Sequence, residues 1–331
     1  MSETTDSEIL EDSELTEIRV GSGVCLGFGG SNTRYAVCEG GEITDFEVID
    51  TPQTPNEFFG WVATHIVEAA EAGNKWLVAG YPGPVNADGT KVGPMVNVPG
   101  LADEEYHVFK EVLRARPEIR GHIEEGFSLV NVHDGSLAAH AASIIFGENK
   151  PNRVAALIVG TGVGAGIVDR DPRFQEVFRA DHTQPLELGH FFLSAIPSDT
   201  PENNISGPAL ERKYGIPAPD LPPGHQAWRE VGVGVGQLAT ILGFVCGAEL
   251  VVPCGGVGAG GSEKYQDVVI EMLLGRTPAN TTQTLANATQ ELLMPRVMFV
   301  PPSMGPSFEL YGAEGVMGDV YTRIAAGAIA V

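Results

Sequence analysis

"VCLGFGGSNTRYAV", residues 24–37, sets two short apolar runs on either side of a Gly29-Gly30 turn that Ser31, Asn32, Thr33 and Arg34 close. The pattern predicts a β-hairpin, because the apolar runs suit strands and glycine reaches the backbone angles of a tight turn. Consecutive glycines also let backbone N–H groups converge on an anion. Strands are expected at 26–28, 35–37 and 43–49, with a second turn in "EGGE" at 39–42, so a meander comes first.

Beyond the meander, helices and strands alternate. Thr54 can cap a helix, Pro55 suits its first position and Glu57 completes a capping box. Phe58, Trp61, Val62, Ile66 and Ala70 follow at helical spacing and are expected to face the sheet. A buried strand is predicted at 76–79, broken by Pro82-Gly83-Pro84, then a helix at 104–115, a strand at 127–132 and a helix at 137–146. The hairpin pattern begins again at 155–159 and 166–168, followed by helices at 207–214 and 229–246 and strands at 250–253 and 297–300. Two hairpin starts, each leading into alternating elements, predict a duplicated α/β architecture with a ligand cleft between its halves.

The expected division is a smaller α/β domain at 20–132, completed by a C-terminal helix at 317–331, and a larger one at 133–316. A chain of 331 residues, 43% of them hydrophobic, has material for two such cores. Twenty Lys and Arg against 43 Asp and Glu give a formal charge of −23, which argues against nucleic acids and anionic membranes as partners. Neutral ligands such as sugars remain, and so do anions met by backbone N–H groups or a magnesium ion. Residues 1–18 carry no basic residue and few aliphatics, so an acidic disordered tail is expected over 1–19. It has the pattern of neither a signal peptide nor a transit peptide, and a cytoplasmic location is expected. Cys25, Cys38, Cys246 and Cys254 are scattered and suggest neither a zinc site nor a disulfide framework. Residues 231–248 are nearly uncharged and long enough to raise a membrane span, but Gly232, Gly234, Gly236, Gly243 and Gln237 favour a buried helix between layers.

Three glycine clusters stand at strand ends: "GFGGSN" at 27–32, "GTGVGAG" at 160–166 and "CGGVGAGG" at 254–261. With the hydroxyls of Ser31, Thr33 and Thr161 beside them, they suggest phosphate-binding turns more than hairpins alone do. Gly160, Gly162 and Ala165 also satisfy the dinucleotide pattern, with Glu187 downstream as a ribose contact. That motif must open a helix, whereas Ile167, Val168 and Asp169 continue as strand, so hydride chemistry is disfavoured.

"VNVHDGSLAAHAA" puts His133 and Asp134 at a strand end before a helix. Asp134 is either a helix N-cap or a general base able to take a hydroxyl proton in phosphoryl transfer. In "LELGHFF", Glu187 and His190 lie in an apolar run, where they satisfy each other or face the vicinal hydroxyls of a polyol. Asn97 in "PMVNVPG" and Glu202 in "PENNISGPAL" are turn residues or further ligands of the same site.

Taken in this order, the residues resemble the bacterial glucokinases and the wider ROK group of sugar kinases in the actin-like ATPase superfamily, from about residue 24 to about 315. "GFGGSNTR" resembles the family's first phosphate loop, Asp-x-Gly-Gly-Thr-Asn/His-x-Arg; "VHDGSLAA" is similar to its Asn-Asp-Ala segment, "ELGH" to its Glu-x-Gly-His and "LYGAEG" to its closing Gly-Ala signature. The resemblance implies two actin-like, ribonuclease H-like α/β domains about a central cleft, and phosphorylation of glucose on its 6-hydroxyl by ATP with Mg2+. It implies Asp134 as catalytic base, with Asn97, His133, Asp134, Glu187, His190 and Glu202 on the sugar. Gly29, Gly30, Ser31, Asn32, Gly160, Thr161 and Gly162 would hold the phosphates, and Gly255 and Gly256 the adenosine. Magnesium would travel with ATP and take no protein ligand, and the protein would be a homodimer.

The sequence departs from this pattern at Gly27, where the family has the Asp that serves the magnesium-phosphate group, and at His133, where it has Asn. The Cys-rich zinc loop of many ROK members and a preceding DNA-binding helix-turn-helix are not seen. Loss of an ordering carboxylate would cost several kcal/mol of transition-state stabilisation if nothing substituted. Two functions therefore stand: a working glucokinase, and a sugar-binding protein that senses or regulates without turnover.

Overall fold

The computed structural model of the protein describes residues 21–146, 151–169, 183–191, 199–273 and 295–325. The tail expected over 1–19 lies outside these residues.

Among them, β1 (Gly23–Phe28), β2 (Asn32–Glu39) and β3 (Glu42–Asp50) form the antiparallel meander. Beside β1, β4 (Trp76–Tyr81) and then β7 (Ser128–His133) add in parallel, giving the order β3-β2-β1-β4-β7. β1 and β4 are buried along their whole length, which explains why both read as unbroken apolar runs. The second half repeats the plan. β8 (Arg153–Val159), β9 (Val163–Asp169) and β10 (Thr183–Leu186) are antiparallel, and β11 (Leu250–Cys254) and β12 (Arg296–Val297) extend β8 in parallel, in the order β10-β9-β8-β11-β12.

Helix α1 (Pro55–Glu71) starts at the expected box: Thr54 Oγ1 accepts from the Glu57 N–H at 3.4 Å and lies 2.8 Å from Glu57 Oε2. Its buried stripe is Phe58, Phe59, Val62, Ala63, Ile66 and Ala69. Trp61 and Ala70, expected on that stripe, sit at its partly buried margin. The helix expected at 104–115 is shorter. Tyr106 and His107 form β6, paired with β5 (Lys91–Val92), and α2 (Val108–Ala115) begins behind His107, whose Nδ1 accepts from the Lys110 N–H at 3.4 Å. After α3 (Ile119–Glu124) the chain returns through β7.

Helix α4 (Asp134–Phe146) follows β7 directly, three residues ahead of the expected start at 137. Residues from Gly135 through Ser143 are buried, most of them Gly, Ala or Ser, so the helix is thin enough to lie between layers. It packs on β8 and β9 and also touches β4 and β7. At its first turn the backbones nearly meet, since a Cβ on Gly166 of β9 would stand 1.9 Å from the Gly135 carbonyl oxygen.

Downstream come α5 (Pro201–Ile205), α6 (Gly207–Tyr214) and α7 (Gln226–Phe244), the last starting ahead of the expected 229 because His225 caps it. Behind β11, α8 (Gly255–Gly258) and α9 (Ser262–Leu273) follow. The strand expected at 297–300 is β12, which is paired only over Arg296–Val297, with one further bond from the Met298 N–H to the Val251 carbonyl at 3.1 Å before the chain leaves β11. The C-terminal helix α10 (Gly312–Ala325) begins before the expected 317, and 326–331 lie outside the described residues. Ala313, Val316 and Met317 of α10 share a core with Cys25, Trp76 and Val78 of the first sheet.

Among the described residues no helix is long and apolar enough to cross a membrane. The glycines of α7 serve packing instead: a Cβ on Gly232 would stand 2.7 Å from Val268 Cβ and 3.0 Å from the Tyr265 carbonyl oxygen of α9. Gly60 of α1, by contrast, has open space where a Cβ would go. Urea unfolding should therefore separate the two. Gly60→Ala stabilises by ~1 kcal/mol through helix propensity, whereas Gly232→Ala destabilises by ~1–3 kcal/mol because the helices must part.

Candidate active site

A cleft of about 640 Å³ opens between the two sheets, within the size range of small-molecule sites. Each residue that the resemblance assigns to the sugar or the nucleotide lines it. Gly29, Gly30, Ser31 and Asn32 come from the β1–β2 turn, Gly160, Thr161 and Gly162 from the β8–β9 turn, and Gly255 and Gly256 from the start of α8. Asn97, His133, Asp134, Glu187, His190 and Glu202 complete the wall.

The first turn closes through the Gly29 N–H, which donates to the Asn32 carbonyl at 2.9 Å. Thr51 Oγ1 donates to the Gly29 carbonyl at 2.7 Å and accepts from Thr33 Oγ1 at 3.1 Å. Thr33 is thus buried behind the turn rather than beside an anion, as strand alternation requires. The second turn closes through the Gly160 N–H to the Gly162 carbonyl at 2.9 Å. The two turns meet across the cleft, with Ser31 Oγ 3.2 Å from Thr161 Oγ1. At the third, Gly255 has φ +83°, and a Cβ there would stand 2.8 Å from the Val159 carbonyl oxygen.

Polar side chains gather around Gly162. A Cβ on that residue would stand 2.8 Å from Glu202 Oε2 and 2.9 Å from Asn97 Nδ2. Glu202, in the first turn of α5, is aimed by the Val163 N–H, which donates to Oε2 at 3.1 Å. Glu202 Oε1 lies 3.8 Å from His190 Nε2, and His190 Nδ1 lies 3.3 Å from Glu187 Oε2. Glu187 Oε1 in turn lies 3.7 Å from His133 Nε2. Carboxylate and imidazole alternate along this chain, which suits the neighbouring hydroxyls of a polyol.

Asp134 is the first residue of α4, and its side chain, 27% exposed, reaches the cleft. The Gly135 N–H lies 2.6 Å from Asp134 Oδ1 and 3.0 Å from His133 Nδ1. When His133 is neutral at Nδ1 both atoms compete for that proton; when it is protonated, Nδ1 donates to Asp134 Oδ1, 3.1 Å away. Burial pushes the Asp134 carboxyl above its usual range against the pull of His133, and the Glu309 and Glu187 charges add to the rise. Burial opposes the charged form of His133, but Asp134 and Glu187 outweigh it and hold that imidazole above its usual value. Glu187 is held low by its interaction with His133, against its own burial.

Arg34 of β2 and Glu309, on the 3₁₀ turn Phe308–Tyr311, also line the cleft and form an ion pair. Arg34 lies inside the opening motif, but nothing local in "GPSFELYG" marks Glu309. Its signal is indirect, namely the missing acid at Gly27 in a turn that otherwise resembles a phosphate loop.

The chain has the hexokinase-like α/β fold of the ROK proteins. It is similar to a ROK hexokinase from Thermus thermophilus, 22% identical over 92% of this chain and 99% of that one, with a TM-score of 0.60. A ROK family glucokinase from Streptomyces griseus, solved with glucose and AMPPNP, is 17% identical over 89% of this chain and 99% of that one, with a TM-score of 0.63. A ROK family transcriptional regulator, a homologue of the E. coli MLC protein, is 15% identical over 93% of this chain and 81% of that one, also at 0.63. No protein-family model matches the sequence, and no curated protein matches it.

The raised Asp134 pKa has a consequence for stability. A carboxyl whose folded pKa exceeds its unfolded value stabilises below the unfolded pKa, and that contribution is lost as pH rises through the folded one. Asp134→Asn should therefore melt higher than the wild type near pH 8, where the imidazole partner is least charged, and the difference should narrow toward about pH 5. Calorimetric melts at the two pH values check this.

Proposed function

We propose that the protein is a sugar kinase that transfers the γ-phosphoryl group of ATP to the 6-hydroxyl of glucose, with Asp134 as general base. The observation that carries this reading is the convergence, in one cleft, of the Asp134 carboxylate, a chain of alternating carboxylates and imidazoles and two glycine turns that touch.

Asn97, Glu187, His190 and Glu202 would hold the sugar hydroxyls, with His133 orienting Asp134 and contacting the sugar. Asp134 accepts the proton of the attacking hydroxyl, whose oxygen bonds to the γ-phosphorus as the bond to the bridging oxygen breaks and ADP leaves. The proton then passes from Asp134 to solvent. Gly29, Gly30, Ser31, Asn32, Gly160, Thr161 and Gly162 would present N–H and hydroxyl donors to the phosphates. The fit is close, since a Cβ on Gly30 would stand 2.7 Å from the Asn97 carbonyl oxygen and would narrow the cradle. Gly255 and Gly256 would face the adenosine. Magnesium, bound with the phosphates, supplies neutralisation of charge on the transferred group. The proposal includes a cytoplasmic homodimer with a smaller domain at 20–132 and a larger one at 133–316, all of which rest on the family resemblance and the sequence pattern.

A second reading, a sugar-binding regulatory protein without turnover, draws on Gly27 and on the regulator that shares the fold. ADP release with Mg-ATP, with and without glucose, separates the two. A kinase gives glucose-dependent release that Asp134→Asn lowers at least about 10²- to 10⁴-fold, the usual worth of a general base. Calorimetric glucose binding with no release in the wild type supports the regulator. In the kinase, kcat/KM should fall on the acid side with an apparent pKa above the ordinary aspartate range, because the burial that raises Asp134 acts on the free enzyme.

A further inference from the structure

Gly27 is fully buried in β1, and its cross-strand partner in β2 is Arg34. The guanidinium of Arg34 is held by Glu309 from near the other end of the chain. A Cβ on Gly27 would stand 3.0 Å from Glu309 Oε1 and 3.5 Å from its Cγ. The side chain of Glu309, with Leu310 Cδ2 at 3.1 Å, therefore occupies the space into which a side chain at position 27 would grow.

Its placement is firm. Phe308 and Leu310, on either side, are fully buried, and the Leu310 carbonyl accepts from Cys38 Sγ at 3.7 Å. Glu309 itself keeps 12% of its side chain exposed, and it lines the cleft with Asp134 and the first glycine turn. Its charge is felt at Asp134, on the floor of the same cleft. Among the described residues no three His, Cys, Asp or Glu side chains converge as a metal-binding group. A divalent cation here would take most of its ligands from phosphate oxygens and water, and magnesium sites of that kind use one or two carboxylates.

We propose that Glu309 supplies the carboxylate that position 27 lacks and is the acidic partner of the divalent cation carried by the phosphates. This rests on the nucleotide-binding part of the kinase reading and removes the objection that Gly27 raises against turnover. The competing role is that of a counter-ion for Arg34 alone, which would leave metal dependence untouched.

Calorimetric binding of a non-hydrolysable ATP analogue, in Mg2+ and in EDTA, distinguishes these without any turnover. The wild type should bind more tightly with magnesium, and Glu309→Gln should lose about 10- to 100-fold of that gain, the range seen when a group supporting a metal is removed. Binding in EDTA should change little. The exchange variant Gly27→Asp/Glu309→Ala, which moves the carboxylate back to β1, should recover the magnesium gain. Should Glu309→Gln fail to fold, the exchange variant is read alone, and a folded form without the gain overturns the proposal. A magnesium gain unchanged in folded Glu309→Gln overturns it as well while leaving the kinase reading intact. No analogue binding by the wild type in either medium overturns the nucleotide reading, and this inference with it.

Discussion

The close approach of Gly135 and Gly166 governs the arrangement of the molecule. A Cβ on Gly135 would stand 2.7 Å from the carbonyl oxygen of Ala165, next to Gly166, and one on Gly166 would stand 1.9 Å from the Gly135 carbonyl oxygen. The contact lets the first turn of α4 lie directly on β9 while β7 delivers the helix from the first sheet. Asp134 is thus fixed by both sheets at once. A side chain delivered from such a packed seam is the placement the proposed base role requires.

The cleft gathers negative charge, which a proposed phosphate site has to offset locally. Asp134, Glu187, Glu202 and Glu309 all line it. The opposing groups are local: Arg34 against Glu309, His133 between Asp134 and Glu187, and His190 between Glu187 and Glu202. This alternation leaves a polyol a row of donors and acceptors. In the kinase reading, the N–H groups of the glycine turns, which carry no net charge, would meet the anion.

Much of this was legible in the chain because it is encoded locally. The glycine turns, the Thr54 capping box and the second start of the meander each depend on neighbours in sequence, and each folds as read. The misread elements are those that tertiary pairing decides. Tyr106 leaves the expected helix because Val92 offers it a strand partner, and Thr33 turns inward because the strand's alternation places it opposite the cleft. Glu309 was beyond sequence reasoning, since its meaning arises only when the 3₁₀ turn at Phe308–Tyr311 is laid over β1. The first glycine turn carries no acid of its own, and the carboxylate that pairs with its Arg34 comes from another part of the chain.

The seam and the lip of the cleft differ mechanically. Along α4 the sheets are joined by buried small residues and backbone in contact, where separation by even a fraction of an ångström forfeits packing. At the far side, Ser31 and Thr161 meet through exposed hydroxyls that water can replace, a contact worth about 1 kcal/mol or less. A ligand that bridges the two glycine turns would take the place of this hydroxyl contact and leave the packed seam along α4 untouched.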